Sequence, residues 1–139
     1  RLDSISADDW ILLVPVEANY GKFGLNQFSN GSYFRWGFET GGWPVTASGT
    51  GIAVGVWHHM ALVRSSGVLK FYIDGAEVGS VSMPDAMNLN GNIHIMANSD
   101  TPANAAFHPE GQIDEFRISK GIARWTAPFT PPTAPYTID

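Results

Sequence analysis

Few side chains in this sequence could act on a substrate, and they are scattered along the chain. The four histidines stand at positions 58, 59, 94 and 108. His58 and His59 are neighbours on a predicted strand, so their side chains point to opposite faces and cannot bind one metal ion together. His59 shares a face with apolar neighbours and is expected in the core. The sequence has no cysteine, no serine in a G-x-S-x-G turn and no glycine-rich phosphate loop.

Aromatic and polar residues near position 40 predict a carbohydrate site. Such a site needs an exposed aromatic platform beside groups that hydrogen-bond to sugar hydroxyls. Trp43 stands in a glycine-rich turn, where a core position is less natural. Tyr33, Arg35 and Trp36 lie on the preceding predicted strand and are expected to line the same surface. Packing of Trp43 in the core is the alternative interpretation.

The elements that position these residues are β-strands. Apolar residues make up 44% of the 139 and charged residues 15%, a balance that excludes intrinsic disorder. Fifteen glycines, nine prolines and many aromatic residues indicate short strands joined by tight turns. Strands are predicted at residues 10–16, 22–28, 32–38, 56–64, 68–74, 77–82, 92–97 and 112–119. We therefore predict an all-β, two-sheet antiparallel sandwich.

Alternation within the strands predicts which faces are buried. Leu69, Phe71 and Ile73 share one face of their strand. In the last strand, Asp114 shares a face with two apolar residues, so we expect a buried structural acid that binds backbone amides or a cation. The full set expected to be mainly buried is Leu62, Val63, Phe71, Ile73, Phe116 and Ile118.

Three motifs carry a family resemblance. They are Gly55-Val56-Trp57-His58-His59-Met60-Ala61, Tyr72-Ile73-Asp74-Gly75 and Gly111-Gln112-Ile113-Asp114-Glu115-Phe116-Arg117-Ile118-Ser119. In this order and spacing they resemble the centre and closing strand of the laminin-G-like, concanavalin A-like jelly roll. The continuation over residues 120–132 resembles versions of this domain in bacteriophage structural proteins. The resemblance implies a jelly-roll domain at residues 1–125, with Trp57 and Trp125 in its core, and a proline-rich C-terminal arm at 126–139.

The resemblance also bears on catalysis and calcium. Glucan-cutting members carry an E-x-D-x-(x)-E strand whose acids perform the reaction. Here Gln112 replaces the first acid and no partner acid follows Glu115, so we predict that the protein is not an enzyme. Relatives often hold calcium in rim loops, and Asn98 and Asp100 are candidate ligands in the loop 97–104. An ordinary turn is the alternative for that loop, and calcium is the one cofactor that the sequence suggests.

The predicted role is a non-catalytic virion or surface module that binds glycans on a host surface. The alternative is a purely structural decoration or fibre subunit that contacts neighbouring chains, and a glycoside hydrolase is a distant third. A net charge of −5 argues against nucleic acid and anionic membranes as partners. The resemblance implies a virion or extracellular location.

Relatives usually begin with an extra strand beside the closing strand. Unless residues 2–5 supply it, that edge is open, which favours an oligomer or a place in a longer chain.

Overall fold

The computed structural model describes residues 1–4, 9–16, 21–27, 33–36, 45–48, 52–82, 93–96 and 109–137. Eight strands are present in this part of the chain. They are β1 (Asp9–Val16), β2 (Gly21–Gln27), β3 (Tyr33–Trp36), β4 (Val45–Ser48), β5 (Met60–Ser65), β6 (Val68–Ile73), β7 (Ala76–Ser82) and β8 (His94–Ile95).

The strands form two antiparallel sheets. One has five strands in the order β4-β3-β2-β1-β8, and the other has three strands in the order β5-β6-β7. The predicted all-β, two-sheet antiparallel fold is confirmed, and seven of the eight strands overlap predicted ones. β4 was not predicted. The described part of the chain contains no helix with the length and hydropathy of a membrane span.

Two tight turns build the three-stranded sheet. Ser65 pairs with Val68 across the turn residues Ser66 and Gly67, which have φ of 49° and 74°. Asp74 and Gly75, with φ of 50° and 81°, make the same kind of turn between β6 and β7. Positive φ at both central residues twists a two-residue turn to match its flanking strands. The sequence therefore fixes the register of β5, β6 and β7 locally.

Strand β6 is buried on both faces. Leu69, Phe71 and Ile73 are 1%, 0% and 7% exposed, as the alternation predicts. Tyr72 points to the opposite face and is also 0% exposed. It packs with Ala61 and Val63 of β5 in a second cluster, against which Ala123, Trp125 and Phe129 are seated.

The cover over Tyr72 is the segment 125–137, which we call the C-terminal strap. Its Phe129 N–H donates a hydrogen bond of 3.0 Å to the Gly75 carbonyl oxygen. A Cβ atom at Gly75 would lie 1.7 Å from the Phe129 carbonyl oxygen, so only glycine fits beneath the strap. Lys70 of β6 donates to the Thr126 carbonyl oxygen at 3.2 Å. The strap thus runs across the sheet of its own chain.

The predicted strand at 112–119 is wrong, because this stretch belongs to neither sheet. Leu2 forms an antiparallel bridge with Gly111, and Gln112 donates to the Arg1 carbonyl oxygen at 2.7 Å. Beyond that point Glu115 has a φ of 52°, which breaks an extended path. The alternation of apolar residues alone could not reveal this kink.

Several burial predictions need correction. Phe116 and Ile118 are 46% and 61% exposed, because their stretch lies outside both sheets. Trp57 is 53% exposed, since it precedes β5 in a turn region instead of lying within the strand. Leu62 is half-buried. Val63 and the residues of β6 in the predicted set are buried as expected.

Candidate binding site

Three of the four residues predicted to bind carbohydrate lie on one strand of the structure. Tyr33, Arg35 and Trp36 belong to β3, which pairs with β2 on one side and with β4 on the other. Backbone pairing places Arg35 opposite both Asn26 and Thr46. Trp43 lies outside the described residues, as do the candidate calcium ligands Asn98 and Asp100. In the described ranges, no three side chains of His, Cys, Asp or Glu come together as a metal-binding group.

The acidic residues of the kinked stretch are committed to backbone hydrogen bonds. Asp114 is exposed, not buried as predicted, because its segment lies outside the sheets. Its Oδ1 accepts a hydrogen bond of 2.8 Å from the Glu115 N–H, so it does bind a backbone amide. Glu115 Oε2 accepts the N–H of Tyr136 at 2.6 Å and thereby holds the end of the strap. Gln112 is exposed beside them.

Asp74 organises the turn between β6 and β7. Its Oδ1 accepts the N–H of His59 at 2.8 Å, and its Oδ2 lies 2.7 Å from His58 Nδ1. Burial raises the pKa of Asp74, but hydrogen bonds from the His58 ring and the His59 amide outweigh it and lower that pKa overall. The ionised carboxylate therefore ties the start of β5 to the turn after β6. Asp74 therefore has a structural role in this tight turn.

His59 lies in an aromatic cage that joins the strap to the sheet. Its ring meets Trp125 and Phe129 edge-on, with centroids 5.3 and 5.5 Å away, and its Nε2 lies 3.0 Å from the Tyr136 hydroxyl. Trp125 and Phe129 stack on each other at 4.3 Å. Burial lowers the pKa of His59, although the Asp74 charge opposes this effect. A neutral imidazole is therefore the form that suits the docked strap.

A groove of about 570 Å³ opens between the kinked stretch and the end of the strap. We call it the C-terminal groove. Its walls are basic and apolar, with one acid. The lining residues are Glu115, Phe116, Arg117, Ile118, Ser119, Lys120, Ile122, Arg124, Tyr136 and Thr137.

Two arginines of the C-terminal groove are held in place by neighbours. The Arg117 guanidinium lies over the Tyr136 ring, 4.5 Å from its centroid, and donates to the Thr137 carbonyl oxygen. Arg124 Nε donates to Ser119 Oγ at 2.9 Å. Cations over aromatic rings are attracted by the ring quadrupole, which orients the guanidinium plane. These positively charged groups therefore have defined positions at the groove.

Sequence reasoning did not find the C-terminal groove. Phe116 and Ile118 were predicted to lie in the core, within a strand at 112–119. Residues 126–139 were predicted to form a separate arm, so no groove between the two segments was expected. The signal that could have indicated it is the spacing of Arg117, Lys120 and Arg124 in a stretch without acids.

The two antiparallel sheets define an all-β class of domain in the described part of the chain. Residues 1–124 match the Laminin_G_3 family, described as the concanavalin A-like lectin/glucanases superfamily. The chain belongs to this family. No curated protein matches it. The C-terminal strap lies beyond the matched residues.

Among solved structures, the chain resembles an S-layer domain-containing protein from Clostridium thermocellum. The two are 24% identical with a TM-score of 0.38, and the similarity covers 94% of this chain and 62% of the other. The chain thus spans less than two thirds of that structure's length.

Proposed function

We propose that this chain is a non-catalytic binding module of a virion or an extracellular surface, and that its ligands are glycans. The main support for a non-catalytic role is that the Asp114 and Glu115 carboxylates both accept hydrogen bonds from backbone N–H groups. Glycoside hydrolysis requires two carboxyl groups that flank one glycosidic bond. A carboxylate that holds the strap, beside a glutamine at position 112, is a poor candidate for that chemistry.

Glycans are proposed because the fold family includes lectins and because aromatic and polar residues cluster in sequence around β3. In this proposal Trp43 is the platform, with Tyr33, Arg35 and Trp36 around it. Bidentate hydrogen bonds from the Arg35 guanidinium would suit sugar hydroxyls or a sugar carboxylate. The bacteriophage context rests on the resemblance of residues 120–132 alone, and it belongs to the proposal.

A glycan array probed with the intact chain tests this function. Trp43→Ala should abolish binding to every glycan on the array that the wild-type chain binds. Trp57→Ala is the matched control, because Trp57 is a surface tryptophan outside the proposed site. Equal losses in both variants, or no glycan bound by the wild type, would refute the glycan proposal. A parallel array with EDTA tests the proposed calcium at Asn98 and Asp100. The non-catalytic role is tested separately, and release of reducing sugar from laminarin would refute it.

Protein contact is the second candidate function, because apolar side chains are exposed along the C-terminal groove. Phe116, Ile118 and Ile122 are 46%, 61% and 57% exposed. Contiguous apolar surface of this kind is typical of interaction sites. A structural decoration or fibre subunit would cover it with a neighbouring chain. Light scattering of the wild type and of Ile118→Ser tests whether association depends on this surface.

A further inference from the structure

The C-terminal groove concentrates positive charge on an acidic protein. The chain has 8 basic and 13 acidic residues. Three of the eight basic residues, Arg117, Lys120 and Arg124, fall within one stretch of the sequence, with no acid between them. All three line the groove, where Glu115 is the one acidic lining residue. The charge of the groove is therefore opposite in sign to that of the molecule, which favours an anionic ligand.

Carboxylates are the anions that this geometry would suit. A guanidinium carries five N–H donors in a planar fork, which matches the two oxygens of a carboxylate. The guanidinium of Arg117 is oriented by the Tyr136 ring, and that of Arg124 by Ser119. Because these groups are already ordered, a ligand would lose less side-chain entropy in binding to them. Lys120 lies between them in the sequence, is exposed, and adds a third positive charge.

The apolar lining points to a peptide. Phe116, Ile118 and Ile122 alternate with the cations and are about half exposed or more. Ile118 and Ile122 are branched and give no flat platform for a sugar ring, whereas together with the Phe116 ring they can bury apolar side chains of a peptide. A ligand in which carboxylates and apolar groups follow one another at short intervals could contact both the basic and the apolar lining residues of the groove.

We propose that the C-terminal groove binds an extended acidic peptide segment of a neighbouring protein, in which Asp or Glu alternates with apolar residues. Its carboxylates pair with Arg117, Lys120 and Arg124, and its apolar side chains cover Phe116, Ile118 and Ile122. This proposal rests on the second candidate function, protein contact, and it names the face and the chemistry of the partner. It is independent of the proposed glycan site.

Fluorescence anisotropy with labelled hexapeptides tests the proposal. The probe is acetylated Asp-Leu-Asp-Leu-Asp-Leu, and the controls replace each Asp with Ser or with Lys. We expect the acidic peptide to bind the wild-type chain about tenfold more tightly than the serine peptide at low salt. Raising the salt to about 0.5 M should remove most of this preference, because exposed charge pairs are screened.

Two variants locate the binding. Lys120→Gln should weaken binding of the acidic peptide about two- to fivefold. Ser80→Glu is the control, because it lowers the net charge by the same one unit at an exposed position of β7 that does not line the groove. Ile118→Ser should weaken the acidic and the serine peptides alike, since it removes apolar contact. Both mutated groove residues are exposed, and circular dichroism verifies that the fold is retained.

Four results would overturn the proposal. One is equal affinity for the acidic, serine and lysine peptides. Another is an equal effect of Lys120→Gln and Ser80→Glu, which would indicate general charge attraction. The third is binding of heparin without binding of the acidic peptide, which would assign the groove to a polysaccharide. Association of the chain through Ile118 without any peptide binding would preserve the protein-contact function and reject this ligand.

Discussion

Replacing Gly75 with alanine should detach the C-terminal strap from the three-stranded sheet. The new Cβ atom would lie 1.7 Å from the Phe129 carbonyl oxygen, so the strap has to move by more than 1 Å to reach normal contact. That movement breaks the 3.0 Å hydrogen bond between the Phe129 N–H and the Gly75 carbonyl oxygen. It also uncovers Tyr72, which is 0% exposed when the strap is docked.

The expected loss of stability has two parts. Alanine at a φ of +81° costs about 1–2 kcal/mol, partly offset by the reduced freedom of the unfolded chain. Detachment adds about 1 kcal/mol for the hydrogen bond. Exposing about 50–100 Å² of the Tyr72, Phe129 and Trp125 rings adds about 1–3 kcal/mol. We expect a total loss of about 3–5 kcal/mol in the free energy of unfolding.

Gly121→Ala separates these parts. Gly121 has the same φ of +81°, and a Cβ atom there would meet nothing within 4 Å. This control therefore reports the cost of the backbone conformation alone. Urea unfolding followed by tryptophan fluorescence measures both variants, and limited proteolysis reports release of the strap. If Gly75→Ala and Gly121→Ala lose the same stability within about 0.5 kcal/mol, the strap does not contribute as argued.

Three further predictions follow from the packing and the charges. Phe71→Ala should cost about 3–5 kcal/mol in urea unfolding, because Phe71 is 0% exposed, and a loss below about 1 kcal/mol would mean that its ring is not in the core. The strap should loosen as the pH falls below about 6.5, because the pKa of His59 is lowered from 6.5 and the unfolded chain takes up its proton first. In unfolding curves at several pH values, His59→Gln should flatten that dependence. Below about pH 4 the ionised Asp74 becomes protonated, and the further loss in the free energy of unfolding that results should persist in the variant. Light scattering should detect an oligomer at micromolar concentration; a stable monomer whose strap can be removed without loss of stability would contradict it.

The fold could be predicted from the sequence where the signal is local. Asp74-Gly75 and Ser66-Gly67 are turn sequences because glycine accepts positive φ, and both turns are found. The buried face of Leu69, Phe71 and Ile73 follows from alternation. β4 was missed because Val45–Ser48 has only one strongly apolar residue and no flanking pattern.

The rest depends on contacts between distant parts of the chain. The prolines after residue 125 exclude a central strand, but they do not indicate that Phe129 lies on Gly75 or that Tyr136 reaches His59. For the same reason Asp114 was expected in the core, since the kink at Glu115 breaks the alternation on which that expectation depended. Of the predicted carbohydrate residues, three are placed on β3, and their contacts lie outside what the structure describes.

The two tight turns of the three-stranded sheet also set an order of events in folding. β5, β6 and β7 pair within residues 60–82, so each pairing closes a loop of two residues. The Leu2–Gly111 bridge instead brings together residues from nearly opposite ends of the chain, at a much larger loop-closure entropy. We expect the three-stranded meander to form in the transition state and the terminal bridge to form after it. Phe71→Ala should then mainly slow refolding. Gly111→Ala, whose Cβ atom would lie 2.3 Å from the Arg1 carbonyl oxygen, should mainly accelerate unfolding.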